Sequence, residues 1–186
     1  MQSKKEVKKL LAESFRELVK KKPIEKITIK EITDGAGVIR VTFYNHFQDK
    51  YELLEWIVRE ETVSPVRMLL KNDMEQQALI FMFNSVLHNR DFYAHAVRLE
   101  GQNSFEQILR SCFCEMVTEY LQENLSRGKR RYEWLTPGRI GEFYGQALAF
   151  IMMTWIRSGM QETPEHMAEM YTYITSHSLT DIVKEP

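Results

Sequence analysis

Cysteine is nearly absent: the 186 residues hold two, Cys112 and Cys114. Positions i and i+2 on a helix point to nearly opposite sides, so the two make a poor disulfide or metal pair and read as small residues in a reducing compartment. No apolar run approaches the roughly 18 residues of a membrane span. The opening MQSKKEVKK lacks the apolar stretch of a secretory signal. The expected location is therefore cytoplasmic, with no membrane partner. Catalytic signatures are missing too: there is no H-E-x-x-H, P-loop, G-x-S-x-G or dinucleotide fingerprint. The five histidines, His46, His88, His95, His166 and His177, are scattered singly. GRIG at 138–141 resembles a glycine loop only superficially. The expectation is no enzyme, no catalytic residue, no metal and no cofactor. Helix punctuation is also sparse, with 8 Gly and 5 Pro. No internal repeat, low-complexity tract or strand pattern emerges.

What is present is helical periodicity and an uneven charge. Hydrophobic residues make up 44% and charged residues 27% of a chain long enough to bury a substantial core. The net charge of −1 hides an asymmetry: residues 1–50 carry +5 and the remainder −6. A basic front end is the electrostatic footprint of an anion-binding unit. Apolar residues recur with a 3.6-residue period almost throughout. A first stripe through Val7, Leu10, Leu11, Phe15 and Leu18 ends near Lys22-Pro23. Thr28 opens a short second helix, DGAG breaks it, and a third short helix runs through Phe47. Asp49 reads as the N-cap of a longer helix, with a bend expected at Ser64-Pro65. Further helices follow at about 73–89, 91–99, 104–121, 137–157 and 164–183, with a basic loop between the third and fourth of these. The fold class is all-α, about nine helices: an N-terminal three-helix unit, 1–48, followed by a larger helical domain, 49–186.

One long helix followed by two short ones joined by a Gly-containing turn is helix-turn-helix geometry. Ile27, Ile32, Val38, Phe43 and Phe47 can form a small core against Phe15 and Leu18. That leaves Arg40, Thr42, Tyr44 and Asn45 on the outer side of the third helix or its edges, and these side chains hydrogen-bond base edges and phosphates. Lys50 adds its charge to a helix N-terminus, a ready phosphate seat. Thr28 and Lys30 sit where the first helix of such a motif crosses the DNA backbone.

The stretch ITIKEITDGAGVIRVTFYNHFQDKYELL resembles the DNA-binding segment of TetR-family transcriptional regulators, through Ala36, Gly37, Val38, Thr42, Phe43, Tyr44, His46, Phe47, Lys50 and Leu53. The resemblance covers about 50 residues. It implies that Thr28, Lys30, Arg40, Thr42, Tyr44, Asn45, His46 and Lys50 contact or position double-stranded operator DNA. Two positions depart from the pattern. Ile39 stands where a capping Ser is usual and cannot accept a hydrogen bond. Val41 stands where a small residue is common, and either reads a thymine methyl or fills a gap.

In TetR-like proteins the remaining two-thirds holds an effector pocket and a dimer interface. The stretches TFYNHFQDKYELLEWIV, RYEW and WIRSGMQETPEHM resemble the DhaS-like regulators of dihydroxyacetone kinase, which implies that a protein co-regulator can stand in place of a small molecule. The residues read as a pocket are Phe81, His88, His95, Phe105, Leu109, Phe113, Tyr144 and Phe150, with Met82, Met116, Met153, Arg98 and Gln146 nearby. The alternative for each aromatic is plain core packing at helical spacing. The helices at 138–157 and 164–183 are apolar on more than one face and are the expected homodimer surface. Three readings follow: an effector-controlled dimeric repressor on a palindromic operator, a regulator controlled by a protein co-regulator whose core is well filled, and an all-α enzyme or scaffold with an incidental helix-turn-helix.

Overall fold

The computed structural model describes residues 4–125 and 132–184; of the basic loop read from the sequence at 126–134, residues 126–131 lie outside the described residues. Among the described residues the chain is helical with no strand. The helices are α1 (Lys4–Val19), α2 (Ile29–Ala36), α3 (Arg40–Tyr44), α4 (Lys50–Val58), α5 (Ser64–Leu70), α6 (Glu75–His88), α7 (Arg90–Ala96), α8 (Phe105–Asn124), α9 (Pro137–Arg157), α10 (Pro164–Ser176) and α11 (Leu179–Lys184). A single 3-10 turn, Ile24–Lys26, joins α1 to α2.

The helix does not break at Ser64-Pro65, where the sequence suggests a bend. A π-helical turn, Arg59–Val63, bridges α4 and α5, and the Ser64 N–H donates to the Arg59 carbonyl. The widened turn carries Pro65, which has no N–H to give, and the helix continues. Residues 50–70 are therefore one rod. With α4 and α5 counted together, ten helices among the described residues stand against the nine expected, the extra one arising because the last helix breaks at His177 and restarts at Leu179.

Side-chain capping fixes most of the boundaries read from the sequence. Thr28 and Glu31 form a reciprocal capping box on α2. Asp49 accepts from the N–H groups of Tyr51 and Glu52 at 2.8 Å each. Ser104, Thr136 and Thr163 cap α8, α9 and α10. The helix expected from Asp73 starts instead at Glu75, because Asp73 turns the chain at φ 55°.

The buried core is continuous from α1 to α10. Helices α8 and α9 make the closest pairing. Gly141 and Gly145 are the cause: a Cβ on Gly145 would lie 2.5 Å from the Cys114 backbone, and one on Gly141 2.9 Å from the Thr118 nitrogen. The four-residue spacing puts both glycines on one face of α9, so α8 lies directly against the backbone.

Candidate DNA-binding face and effector cavity

The turn between α2 and α3 is built by Gly37. Its φ of 66° is left-handed backbone, which glycine adopts without a steric penalty. Its N–H donates to the Asp34 carbonyl and that of Val38 to the Thr33 carbonyl, the double closure of a Schellman motif. Gly35, read from the sequence as part of the turn, has a different task. A Cβ there would meet the Ser14 hydroxyl at 2.3 Å, and that hydroxyl donates to the Ile32 carbonyl at 2.8 Å. Gly35 thus sets how closely α2 crosses α1. Phe43, Phe47, Ile32, Ile27 and Phe15 are buried beneath, as the pattern required, while Val38 and Leu18 are partly buried.

This packing leaves α3 with an outward face. Ile39, Val41 and Tyr44 are exposed at 70%, 63% and 52%. Ile39 at the N-cap and Val41 and Tyr44 on the helix thus face solvent in the protomer. Arg40 and Asn45 are exposed with them, and Thr42 is half-buried. The Arg40 guanidinium reaches the Tyr44 hydroxyl at 3.4 Å. Ile39 starts α3 without any side-chain cap, as its chemistry dictates.

The other residues read as DNA contacts lie around this face in distinct roles. Thr28 is exposed at the N-terminus of α2 and is occupied with Glu31: its hydroxyl donates to the carboxylate at 2.8 Å and accepts from the Glu31 N–H at 3.3 Å. Lys22 pairs with the same carboxylate. This ammonium, then the Thr28 N–H and hydroxyl, hold the Glu31 pKa down to about 2. Lys30 is exposed and pairs with Asp34 at 3.3 Å. His46 is half-buried beside α1, where burial and then Lys8 and Lys4 lower its pKa and favour the neutral ring. Lys50 donates to the carbonyls of Glu25 and Ile27 at 2.7 and 2.8 Å. Two of its three N–H bonds thus fasten the 3-10 turn to the start of the rod, and one remains.

The C-terminal helices line a partly open apolar cavity of about 310 Å³ between α5, α6, α8, α9 and α10. Of the eight residues read as a pocket, Tyr144 alone lines it, with Met82 and Met116 from the wider set. Phe105, Leu109 and Phe113 are core residues at 0–1% exposure, because their face of α8 turns towards other helices. Phe81 and Phe150 are exposed, at 38% and 69%, and His88 is exposed as well. His95 bonds its own helix at the Asp91 carbonyl, 2.7 Å away. The cavity wall that sequence reading missed includes Leu79, Val117, Tyr120, Leu148 and Thr172. Periodicity marks these as inward-facing, but nothing local separates a cavity wall from a filled core.

Several residues expected at a dimer surface are internal: Trp155, Met167 and Tyr171 are buried at 2–8% exposure. Phe143 and Phe150, two turns apart on α9, remain outward at 67% and 69%, as does Ile174 on α10 at 53%. No helix among the described residues is long and apolar enough to cross a membrane.

Two family models match the chain: "Bacterial regulatory proteins, tetR family" over residues 13–57 and "Transcriptional regulator C-terminal region", of TetR type, over residues 73–177. A curated relative is the HTH-type dhaKLM operon transcriptional activator DhaS of Lactococcus lactis, 28% identical over 85 residues, which are 46% of this chain and 46% of that protein. The match thus spans about half the relative's length. Among solved structures, a dihydroxyacetone kinase operon activator DhaS superposes with a TM-score of 0.60 at 21% identity, covering 90% of this chain and 93% of that one. A TetR-family regulator from Syntrophomonas wolfei gives 0.67 at 16% identity over 95% and 99%. FadR of Thermus thermophilus, a TetR-family repressor solved with lauroyl-CoA, gives 0.63 at 16% over 90% and 92%. At these identities the superpositions speak for the fold alone. The family models cover the reading head and more than half of the chain besides: the chain belongs to the TetR family of DNA-binding transcriptional regulators.

Proposed function

We propose that the chain is a dimeric repressor that binds a palindromic operator through residues 1–48 and is released by a small-molecule effector bound in the 49–186 domain, in the cytoplasm. In this reading Arg40, Val41, Tyr44 and Asn45 meet the major groove, with Thr42 at its edge. Thr28, Lys30 and His46 position the head on the DNA backbone, and Lys50 does so through its remaining N–H. The dimer forms through α9 and α10, with Phe143 and Phe150 as its apolar stripe, as closed twofold symmetry on a palindrome requires.

The observation that carries the effector reading is the rod of residues 50–70. Its first residue clamps the reading head through Lys50, and its last turns supply Val66 and Leu70 to the cavity wall. A ligand that favours one arrangement of those turns moves the head without an intervening hinge, and so biases the DNA-competent population by its differential affinity for the two states. The test is a gel shift on DNA flanking the gene, with and without candidate metabolites, combined with the distance between spin labels on the two α3 helices. A released operator with an unchanged distance would exclude the rod as the lever. A monomer in sedimentation at micromolar concentration would exclude the dimer.

The similarity to the DhaS activator favours a second reading, control by a protein co-regulator through the same rod. That reading called for a well-filled core, and the cavity of about 310 Å³ counts against it. Operator release by a protein fraction, with no small molecule altering the distance, would reverse the preference.

A further inference from the structure

The cavity's polar atoms are biased in a way that names a ligand chemistry. Five hydroxyl-bearing side chains line it: Tyr120, Tyr144, Tyr171, Thr172 and Thr175. Four have already committed their protons. Tyr171 donates to the Tyr144 carbonyl at 3.2 Å. Thr172 donates to the Ala168 carbonyl at 2.9 Å and Thr175 to the Tyr171 carbonyl at 2.8 Å. Tyr120 donates to the Glu75 carboxylate at 3.1 Å. Burial, then Glu75 and Asp73, raise the Tyr120 pKa and keep the phenol protonated. These four oxygens offer lone pairs to a ligand and no hydrogens.

Charge points the same way. Glu75 is the one ionisable acid or base on the wall besides the phenols; no Lys, Arg or His lines it. It sits in the first turn of α6, exposed at the rim, where the helix dipole favours its negative charge. The two bases of an adjoining recess are paired with acids: Arg67 with Glu119 at 2.5 Å, its Nε left without a partner, and Lys71 with Glu123 at 3.4 Å. Among the side chains that line the cavity, an anionic group would find no hydrogen-bond donor beyond the Tyr144 hydroxyl, and at Glu75 it would meet a like charge. A cationic donor would meet a carboxylate while keeping part of its hydration. The remaining lining is aliphatic, thioether and aromatic, so the body of the ligand is apolar. The volume allows on the order of ten non-hydrogen atoms at roughly 30 Å³ each.

From this we propose that the cavity takes a compact, apolar amine, its ammonium group seated against the Glu75 carboxylate beside Tyr120 and its body reaching towards Leu148, and that it discriminates against carboxylates and phosphates. The proposal rests on the cavity being the effector site.

The test is calorimetric titration of the full-length protein with three probes of nearly one shape: phenylbutylamine, phenylbutanol and phenylbutyrate. The amine is expected to bind about tenfold or more tighter than the carboxylate, with the alcohol between, as attraction at one terminus and repulsion at the other imply. Glu75→Gln, an exposed and isosteric change, is expected to bring amine and alcohol to within about threefold of each other. Leu148→Trp, or Leu79→Phe at the half-buried rim if the first does not fold, is expected to abolish binding of all three probes by filling the cavity. If the three probes bind equally and the filling variants remove them, the site stands and the charge preference is overturned. An amine preference that survives Glu75→Gln also overturns it. If no probe binds, or the filling variants leave binding intact, the effector-site reading falls and the amine proposal with it.

Discussion

The reading head and the C-terminal helices are both helical and share one core, yet their sequences determine them differently. In the head, short-range chemistry sets nearly every boundary: the Thr28–Glu31 box, the left-handed Gly37 and the Asp49 cap each act within five residues. In the C-terminal helices the caps are equally local, but the features that matter arise between helices distant in sequence. The α8–α9 contact joins Cys114 to Gly145, and the cavity collects side chains from five helices. A head made from local rules is legible residue by residue. A cavity is a gap among helices, and which inward-facing residue borders the gap depends on how every neighbour is placed.

The sharpest way to break this comparison uses two phenylalanines that sequence reading put together as pocket residues. Phe113 is fully buried and Phe150 is 69% exposed. Phe113→Ala is expected to cost about 3–5 kcal/mol of stability through lost burial and the cavity left behind. Phe150→Ala is expected to leave the monomer's fold close to unchanged and to weaken self-association. Urea melts at low protein concentration, paired with sedimentation, separate the two. Equal losses of stability would mean that α9's outward stripe is part of the protomer core.

The head can be tested at Arg40. Arg40→Ala is expected to cost about 1–3 kcal/mol of discrimination between operator and mismatched sites if the guanidinium makes a bidentate base contact. The folded head should be unaffected, since Arg40 is exposed and its partner Tyr44 is solvent-facing too. Competition gel shifts with operator variants read this directly. A uniform loss across all sequences would turn Arg40 into a phosphate contact.

Lys50 tests where local legibility ends. From the sequence it was a phosphate seat; in the structure it also holds two carbonyls of the 3-10 turn. Burial lowers its pKa, opposed by Glu25 and Asp49. Lys50→Met is therefore expected to lower stability by roughly 1–2 kcal/mol, a figure kept small because the group is partly solvated. A phosphate contact would in addition reduce the slope of log affinity against log salt by about one. A lowered melting temperature with an unchanged salt slope would make Lys50 a positioning residue only.

Much of the architecture was readable beforehand, and the exceptions share a cause. Helix class, the head's core, the caps at Thr28, Asp49 and Ser104, and the start of α9 at Pro137 follow from spacing and hydrogen-bonding capacity. At Ser64-Pro65 the helix continues because a π turn supplies the tolerance proline needs, and the determinants of that turn lie in packing against α6 and α8. Gly35 reads as part of the turn because it stands two residues from Gly37, whereas its close neighbour in the structure, Ser14, is on another helix. The pair Gly141 and Gly145 did carry a readable signal, two glycines four apart within an apolar helix. Of the proposed pocket, aromatic content picked out core residues and surface residues as readily as the wall.

The smallest effect expected concerns Glu31, where the head's local chemistry can be read as a pH dependence. Its pKa is held at about 2, against an ordinary 4.5, by the Lys22 ammonium first and by Thr28 second. A carboxyl whose pKa is lower in the folded state contributes stability that is complete above its unfolded value and is lost as the proton binds. Its contribution should therefore fade as pH drops from about 4.5 to about 2. Because Glu31 lies at the surface, salt will screen the Lys22 part more than the hydrogen bonds within the capping box. Glu17 and Asp181 also have lowered pKa values and titrate in the same acid range, so the parent's own acid profile is not diagnostic. The difference between parent and Glu31→Gln is. Glutamine keeps an acceptor for the Thr28 N–H and loses the charge, so the variant's stability should fall less steeply across that window. Added salt should narrow the gap between the two proteins. Parallel profiles at low salt would mean that the Lys22–Glu31 pair is as strong in the unfolded chain, nine residues apart, as it is at the start of α2.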